Sequence, residues 1–302
     1  MRDVAHRPLP IGWFLLAWLV AIASVAITVA ASSSTGAALD PTPETDVTTA
    51  TPPARRAPTL AAPSDPTTVR IRGAEFAGWA LLDRRTGDIV GSANAGSGRS
   101  SAESMIKPWI AADHLRRVAD RRETPTTATL AELNLMIVDS HDGLTEKYYV
   151  NGGGDAVIRR LITACGLTSV AIESYRWALT GLTSEDAVRY GACLADGRAA
   201  GPEWTQWILD AMRRVRGGVE AQHSTAVQGG RWGIIDGLPP ELARETAIKN
   251  GWTLRDGRWH INCLAVHDDW VLNVMMRRPG SLAEAAEGCA DVAEHLVTPK
   301  PG

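Results

Sequence analysis

The residues whose types and spacing could do chemistry begin with Ser104 and Lys107, in the run Ser101-Ala102-Glu103-Ser104-Met105-Ile106-Lys107-Pro108. Three apart at the start of a helix, their side chains lie on neighbouring turns of one face and can meet. A serine alone is a poor nucleophile. It needs a neighbour to take its proton, and a lysine desolvated beside another cation is neutral enough to do so, which arginine never is. Only four of the 31 basic residues are lysines, Lys107, Lys147, Lys249 and Lys300, so a lysine here reads as a chemical choice. Two further segments suit the same chemistry, Ser140-His141-Asp142 and Lys249-Asn250-Gly251.

These residues need elements to hold them. Met105, Ile106, Trp109, Ile110, Ala112 and Leu115 recur at helical spacing, which places Ser104 at a helix start, where Pro108 is tolerated. Before it, Phe76 to Leu82 and Ile89 to Ala93 flank an Asp/Gly-containing turn and predict a β-hairpin. From Thr129 to about Val219 the pattern is mostly helical, and Gly152-Gly153-Gly154-Asp155 reads as a turn with Asp155 as the next helix's N-cap, not a phosphate loop. Strand patterns return at 247–253, 259–266 and 270–276, and a helical one at 282–296. The turns are short, so an antiparallel meander is expected.

With these elements around them, the three segments resemble the signatures of the penicilloyl-serine transferase superfamily, the serine β-lactamases and penicillin-binding D,D-peptidases: S-x-x-K, S-D-N or S-x-N, and K-T-G. The order and surroundings look most like class A β-lactamases, over roughly Ala74 to Leu296. The resemblance implies a mixed α/β fold of the α+β kind, a β-lactamase/transpeptidase-like fold in which an antiparallel sheet flanked by helices joins an all-helical lobe. It also implies that Ser104 is the nucleophile, Lys107 its base and Ser140 a proton relay. Lys249, with Asp142, Asn250, Gly251 and Trp252, would bind substrate. The N–H groups of Ser104 and Trp252 would form the oxyanion hole.

The match departs from the pattern in four places. Asp142 replaces an asparagine, and a carboxylate beside Lys107 favours its charged form. Asn250 replaces the hydroxyl residue of K-T-G, so an amide would have to bind the substrate carboxylate. Trp252 is bulkier than usual. The Glu-x-x-Leu-Asn segment whose glutamate activates the deacylating water in class A enzymes is matched by Glu173-Ser174-Tyr175-Arg176-Trp177. Glu173, Glu185 and Asp186 are the candidate substitutes, each equally readable as a loop or helix-start carboxylate.

The remainder bounds the setting. A net charge of −3 with no basic run interleaved with aromatics excludes nucleic acid as a partner. Arg2 and Arg7 precede an uncharged apolar stretch from Ile11 to Ala31, long enough to span a bilayer with the N-terminus inside; Val29-Ala30-Ala31 also suits signal cleavage. Residues 1–31 are thus an anchor or signal, 32–70 a Pro/Thr/Ser/Ala-rich tether, and 71–298 the folded domain. That domain would be extracytoplasmic and monomeric. Its cysteines are expected to pair as Cys165–Cys193 and Cys263–Cys289, joining neighbouring helices and a strand to the last helix, with free buried thiols as the alternative. No spacing suits a metal and no cofactor is implied. His141, His260 and His267 read as structural. The function expected is a serine hydrolase acting on β-lactams or D-alanyl cell-wall (peptidoglycan stem) peptides; the alternative is a catalytically impaired peptidoglycan- or partner-binding module on the same fold.

Overall fold

The computed structural model describes residues 58–223 and 229–299. Nine strands, β1 (Pro58–Leu60), β2 (Phe76–Asp83), β3 (Ile89–Gly91), β4 (Arg99–Ser101), β5 (Gly181–Thr183), β6 (Ala247–Arg255), β7 (Arg258–Val266), β8 (Trp270–Arg278) and β9 (Val297–Pro299), form three antiparallel sheets among these residues. The helices are α1 (Lys107–Asp120), α2 (Thr127–Val138), α3 (Asp142–Asn151), α4 (Asp155–Cys165), α5 (Ser184–Ala195), α6 (Pro202–Arg213), α7 (Pro240–Glu245) and α8 (Leu282–Leu296). This is the expected mixed fold: a central sheet of order β3-β2-β8-β7-β6, with helices beside it.

The central sheet is buried on both faces. Consecutive β7 and β8 residues such as Cys263 to Val266 and Val271 to Met276 are all buried, and apart from Asn273 they are apolar. Helix α5 packs on one face, closely enough that a Cβ on Gly191 would lie 2.5 Å from Val271 Cγ1. Helix α8 covers the other, starting at a capping box in which Ser281 Oγ accepts from Glu284 N–H and the Glu284 carboxylate accepts from Ser281 N–H. Helices α1, α2, α3, α4 and α6 pack on one another as the helical lobe. Trp109 of α1 is its buried centre, donating from Nε1 to Val157 O at 2.9 Å.

Two boundaries differ from the sequence reading. Regular structure is present inside the stretch read as a tether, where β1 pairs with β9, with Leu60 opposite Val297, and buries Leu60. Composition hides this: a short edge strand needs a backbone partner more than apolar side chains. The expected anchor at 1–31 lies outside the described residues, among which no helix is long and apolar enough to cross a membrane. Asp155 is also not the N-cap of α4. Gly154, at φ +60°, holds that place, and Asp155 instead accepts from Tyr175 N–H (2.8 Å) and Ser174 Oγ (2.9 Å), pinning the 173–175 loop.

Both expected disulfides form. Cys165–Cys193 ties α4 to α5, and Cys263–Cys289 ties β7 to α8. Each closes a loop of fewer than thirty residues, 28 and 26 apart in sequence. Replacing either pair by alanines should destabilise the domain by about 2–4 kcal/mol, read as a lower denaturant midpoint of the purified domain against an unreduced control.

Candidate active site

Three elements converge on one point. Ser104 lies in a 3-10 turn, Glu103–Ile106, and Lys107 is the first residue of α1 that follows it. Tyr190 of α5 fixes this junction: its hydroxyl accepts from Trp109 N–H at 3.1 Å and donates to Met105 O at 3.2 Å. Ser140 sits between α2 and α3 at φ +57°, a strained conformation for a residue with a Cβ. The neighbouring Asp139 carboxylate is gripped from the far side by Arg216 through two bonds, 2.6 and 2.8 Å. Lys249 comes from β6, the edge strand of the central sheet.

The Ser140 hydroxyl joins both lysines, with Lys107 Nζ at 3.0 Å and Lys249 Nζ at 3.1 Å. Both ammonium groups are fully buried. Lys107 also donates to Ser140 O at 2.5 Å and Asp142 Oδ1 at 2.6 Å; Lys249 donates to the carbonyls of Gly229 and Asn250 at 3.1 and 3.2 Å. Burial pulls the Lys107 amine down to about 8, against the opposing pull of Asp142. Lys249 falls well below its ordinary range, through burial first and the nearby Lys107 second. An amine near 8 in neutral water keeps a usable fraction of free base, as proton abstraction requires.

Gly251 lets the strand and the serine turn approach. A Cβ there would lie 2.4 Å from Ala102 O and 2.8 Å from Met105 N, both backbone atoms that cannot swing aside. The glycine thus seats β6 against the turn carrying Ser104. Asn250 does not line the cleft: it is buried, and its amide donates to Gly230 O (2.9 Å) and Trp232 O (2.6 Å). It therefore offers no donor to a substrate carboxylate, contrary to the sequence reading. Trp252 lines the cleft and packs edge-on against Trp232, centroids 5.3 Å apart.

The cleft over Ser104 encloses about 390 Å³, lined by Glu103, Asp142, Glu146, Trp177, Ala178 and Trp252 among others. Glu103, immediately before Ser104 and at φ +49°, accepts from Ser101 Oγ at 2.6 Å and faces Arg255 at 3.3 Å; burial pushes its carboxyl up. The Trp177 ring lies over Lys107, 5.3 Å from Nζ, and its Nε1 donates to Glu146 at 2.9 Å. None of the three carboxylates offered by the sequence as water activators lines this cleft. Glu173 is exposed, Glu185 pairs with Arg189, and Asp186 is buried accepting from Thr168 and Ser169 N–H.

Glu103 and Glu146 belong to no motif, and Trp177 stands where the Glu-x-x-Leu-Asn segment has its asparagine. For Glu146 the available signal is its i, i+4 spacing from Asp142, which puts both on one face of α3. His141, as expected, is structural: its Nδ1 caps α3 by accepting from Leu144 N–H at 3.2 Å. Burial and Arg255 hold the His260 ring down near 4, and His267 stacks on Trp270.

No family model matches the chain. It is 32% identical over 176 residues to proteins described as "Putative lipoprotein LppW" in Mycobacterium tuberculosis and Mycobacterium bovis, a match covering 57% of this chain and 52% of theirs. The chain thus spans about half the length of these curated relatives. Among solved structures it is similar to a β-lactamase from Burkholderia vietnamiensis (TM-score 0.61, 16% identity, 76% of this chain and 92% of that one) and an ancestral class A β-lactamase of Gram-negative bacteria (0.58, 16%, 76% and 95%). It is equally similar to PBP-A (0.56, 16%, 76% and 91%). At this identity the likeness establishes the fold.

The two opposing influences on Lys107 can be separated without a substrate. In ¹³C-lysine NMR, with only four lysines to assign, the Lys107 Cε signal should titrate with a midpoint at about 8. Asp142 favours the ammonium, so Asp142→Asn should move that midpoint down; an unchanged or higher midpoint would refute the assignment.

Proposed function

The chain has the fold of the class A β-lactamases and penicillin-binding proteins, and we propose that it uses that fold as a serine acyl-enzyme hydrolase on β-lactams or D-alanyl cell-wall peptides. The observation that carries this reading is the Ser140 hydroxyl held between two buried lysine amines beside the Ser104 turn. Ser104 Oγ attacks the carbonyl carbon while Lys107, as free amine, takes its proton. The tetrahedral oxyanion is received by the N–H groups of Ser104 and Trp252. As the C–N bond breaks, the proton passes from Lys107 through Ser140 to the leaving nitrogen; a hydroxyl both donates and accepts, so it can relay one proton without gaining charge. Lys249 supplies the cation that attracts a substrate carboxylate. Water then hydrolyses the ester and regenerates Ser104.

That last step is expected to be slow. Trp177 stands across Lys107, and none of Glu173, Glu185 and Asp186 lines the cleft, so the loop after α4 brings no carboxylate to an attacking water. This favours a penicillin-binding, D,D-peptidase-like role over rapid lactam turnover. Export is supported by the two disulfides, which persist in oxidising compartments, and by the lipoprotein description of the relatives. We propose that the domain works outside the cytoplasmic membrane, tethered through its N-terminal segment.

One observation favours a second reading, a binding module without turnover. Lys107 donates to three oxygens, the arrangement of an ammonium and not of a free base. A fluorescent penicillin decides between them. The hydrolase reading expects covalent labelling of the wild type that Ser104→Ala abolishes, that Lys107→Ala slows by about 10²–10⁴-fold, and that persists on intact-mass analysis when nitrocefin turnover is slow. Absence of labelling, or equal labelling of Ser104→Ala, would leave the binding module.

A further inference from the structure

A second cavity lies away from the Ser104 cleft, at the other edge of the central sheet. The cleft lies against β6; this cavity lies at the β3 edge, and the two share no residue. Leu81 of β2 pairs with Val90 of β3, and Asp83 with Trp270 of β8, so register and alternation put all four on one face of the sheet. Helix α8 covers that face over β7 and β8, where a Cβ on Gly288 would lie 3.0 Å from Met276 Cε. Towards the β3 edge the face is closed instead by the chain from Thr59 to Ala62, in which Leu60 is buried. The space between encloses about 230 Å³.

Its wall is apolar except at one point. Trp270 is buried and its ring stacks on His267, centroids 5.2 Å apart, yet its indole N–H has no acceptor among the described residues. A buried donor without an acceptor is destabilising, and a ligand oxygen relieves it. The rim is acidic on balance: Asp83, Asp88 and Asp269 stand against Arg85, which is itself bonded to Asp83 at 2.8 Å. Such a rim disfavours an anion. Size narrows the choice further, because an apolar cavity of about 150 Å³ holds benzene, and this one therefore has room for a ring with a small substituent.

We infer that this cavity is a binding site for an uncharged aromatic ketone, ester or amide, its ring against Leu81 and Val90 and its carbonyl oxygen accepting from Trp270 Nε1. The inference is independent of the reaction proposed for Ser104.

The test titrates the purified, ¹⁵N-labelled protein with three compounds of nearly equal size: acetophenone, ethylbenzene, which lacks the oxygen, and benzoate, which carries a charge. Indole N–H signals are followed by NMR, with Trp270 assigned among the eleven tryptophans by its loss in Trp270→Phe. Acetophenone should saturate and move the Trp270 indole proton downfield. Ethylbenzene should bind about three- to tenfold more weakly, the worth of one hydrogen bond, and leave that proton near its free position. Benzoate should also bind more weakly than acetophenone. Val90→Phe, which fills the space from the sheet edge, should abolish the acetophenone shift. If Trp270→Phe does not fold, nuclear Overhauser contacts from the acetophenone ring to the Leu81 and Val90 methyls of the wild type locate the ligand instead. No saturable binding of acetophenone, equal affinity for ethylbenzene, tighter binding of benzoate, or contacts to other methyls only would overturn the inference.

Discussion

Two primary amines, Lys107 and Lys249, share one serine hydroxyl in a region from which water is excluded, and the rest of the site is built around that constraint. Each ammonium left unpaired in such a place would cost several kcal/mol. The chain answers in two ways. It supplies oxygen acceptors: the Ser140, Gly229 and Asn250 carbonyls and the Asp142 carboxylate. It also loosens its hold on the protons, since burial lowers both amines. Asp142 bonds directly to Lys107, so the two amines are held unequally.

Such an arrangement works only if the elements that carry it cannot drift. The sheet contributes Lys249, and Gly251 lets it press against the Ser104 turn. Tyr190 of α5 bonds to both sides of the junction between that turn and α1. The Asp139–Arg216 pair holds the strained Ser140 loop from outside. Behind the serine turn, Asn262 donates to Ser101 O at 3.0 Å and receives from Asn273 at 2.9 Å, tying β4 to the middle of the sheet. Apart from the Asp139–Arg216 pair, whose arginine is exposed, these contacts are buried, the kind that rigidify a site because little solvent competes for them.

The cleft's outer wall follows a different logic. Asp155 pins the loop after α4 at one end, and Trp177 and Glu146 bond at the other. The loop therefore delivers an indole, not a carboxylate, over Lys107. An indole shields the amine from water and keeps its depressed basicity. It also removes the polar group that would direct a water at an ester on Ser104. In the proposed acyl-enzyme cycle, one residue thus favours the first half and disfavours the second.

Much of this was legible in the sequence, for reasons of period and spacing. Apolar runs separated by short turns placed β6, β7 and β8, helical periodicity placed α1 and α8, and the order of the cysteine-bearing segments favoured, among three possible pairings, the one that forms. The three-residue spacing of Ser104 and Lys107 was enough to bring them to one turn. Asn250 shows where type-matching misleads: its amide is taken up by the carbonyls of Gly230 and Trp232, partners that no motif announces. What no local pattern could give was the company each side chain keeps. Glu146 reaches the cleft because α3 crosses in front of Lys107, and Trp177 because a loop pinned far off at Asp155 folds back over it. The sequence by itself determined the elements and the chemical groups they carry, because those depend on near neighbours along the chain. The tertiary structure alone decided the charge balance of the site, because burial and distance set the lysines' proton affinities, and neither exists until remote segments pack.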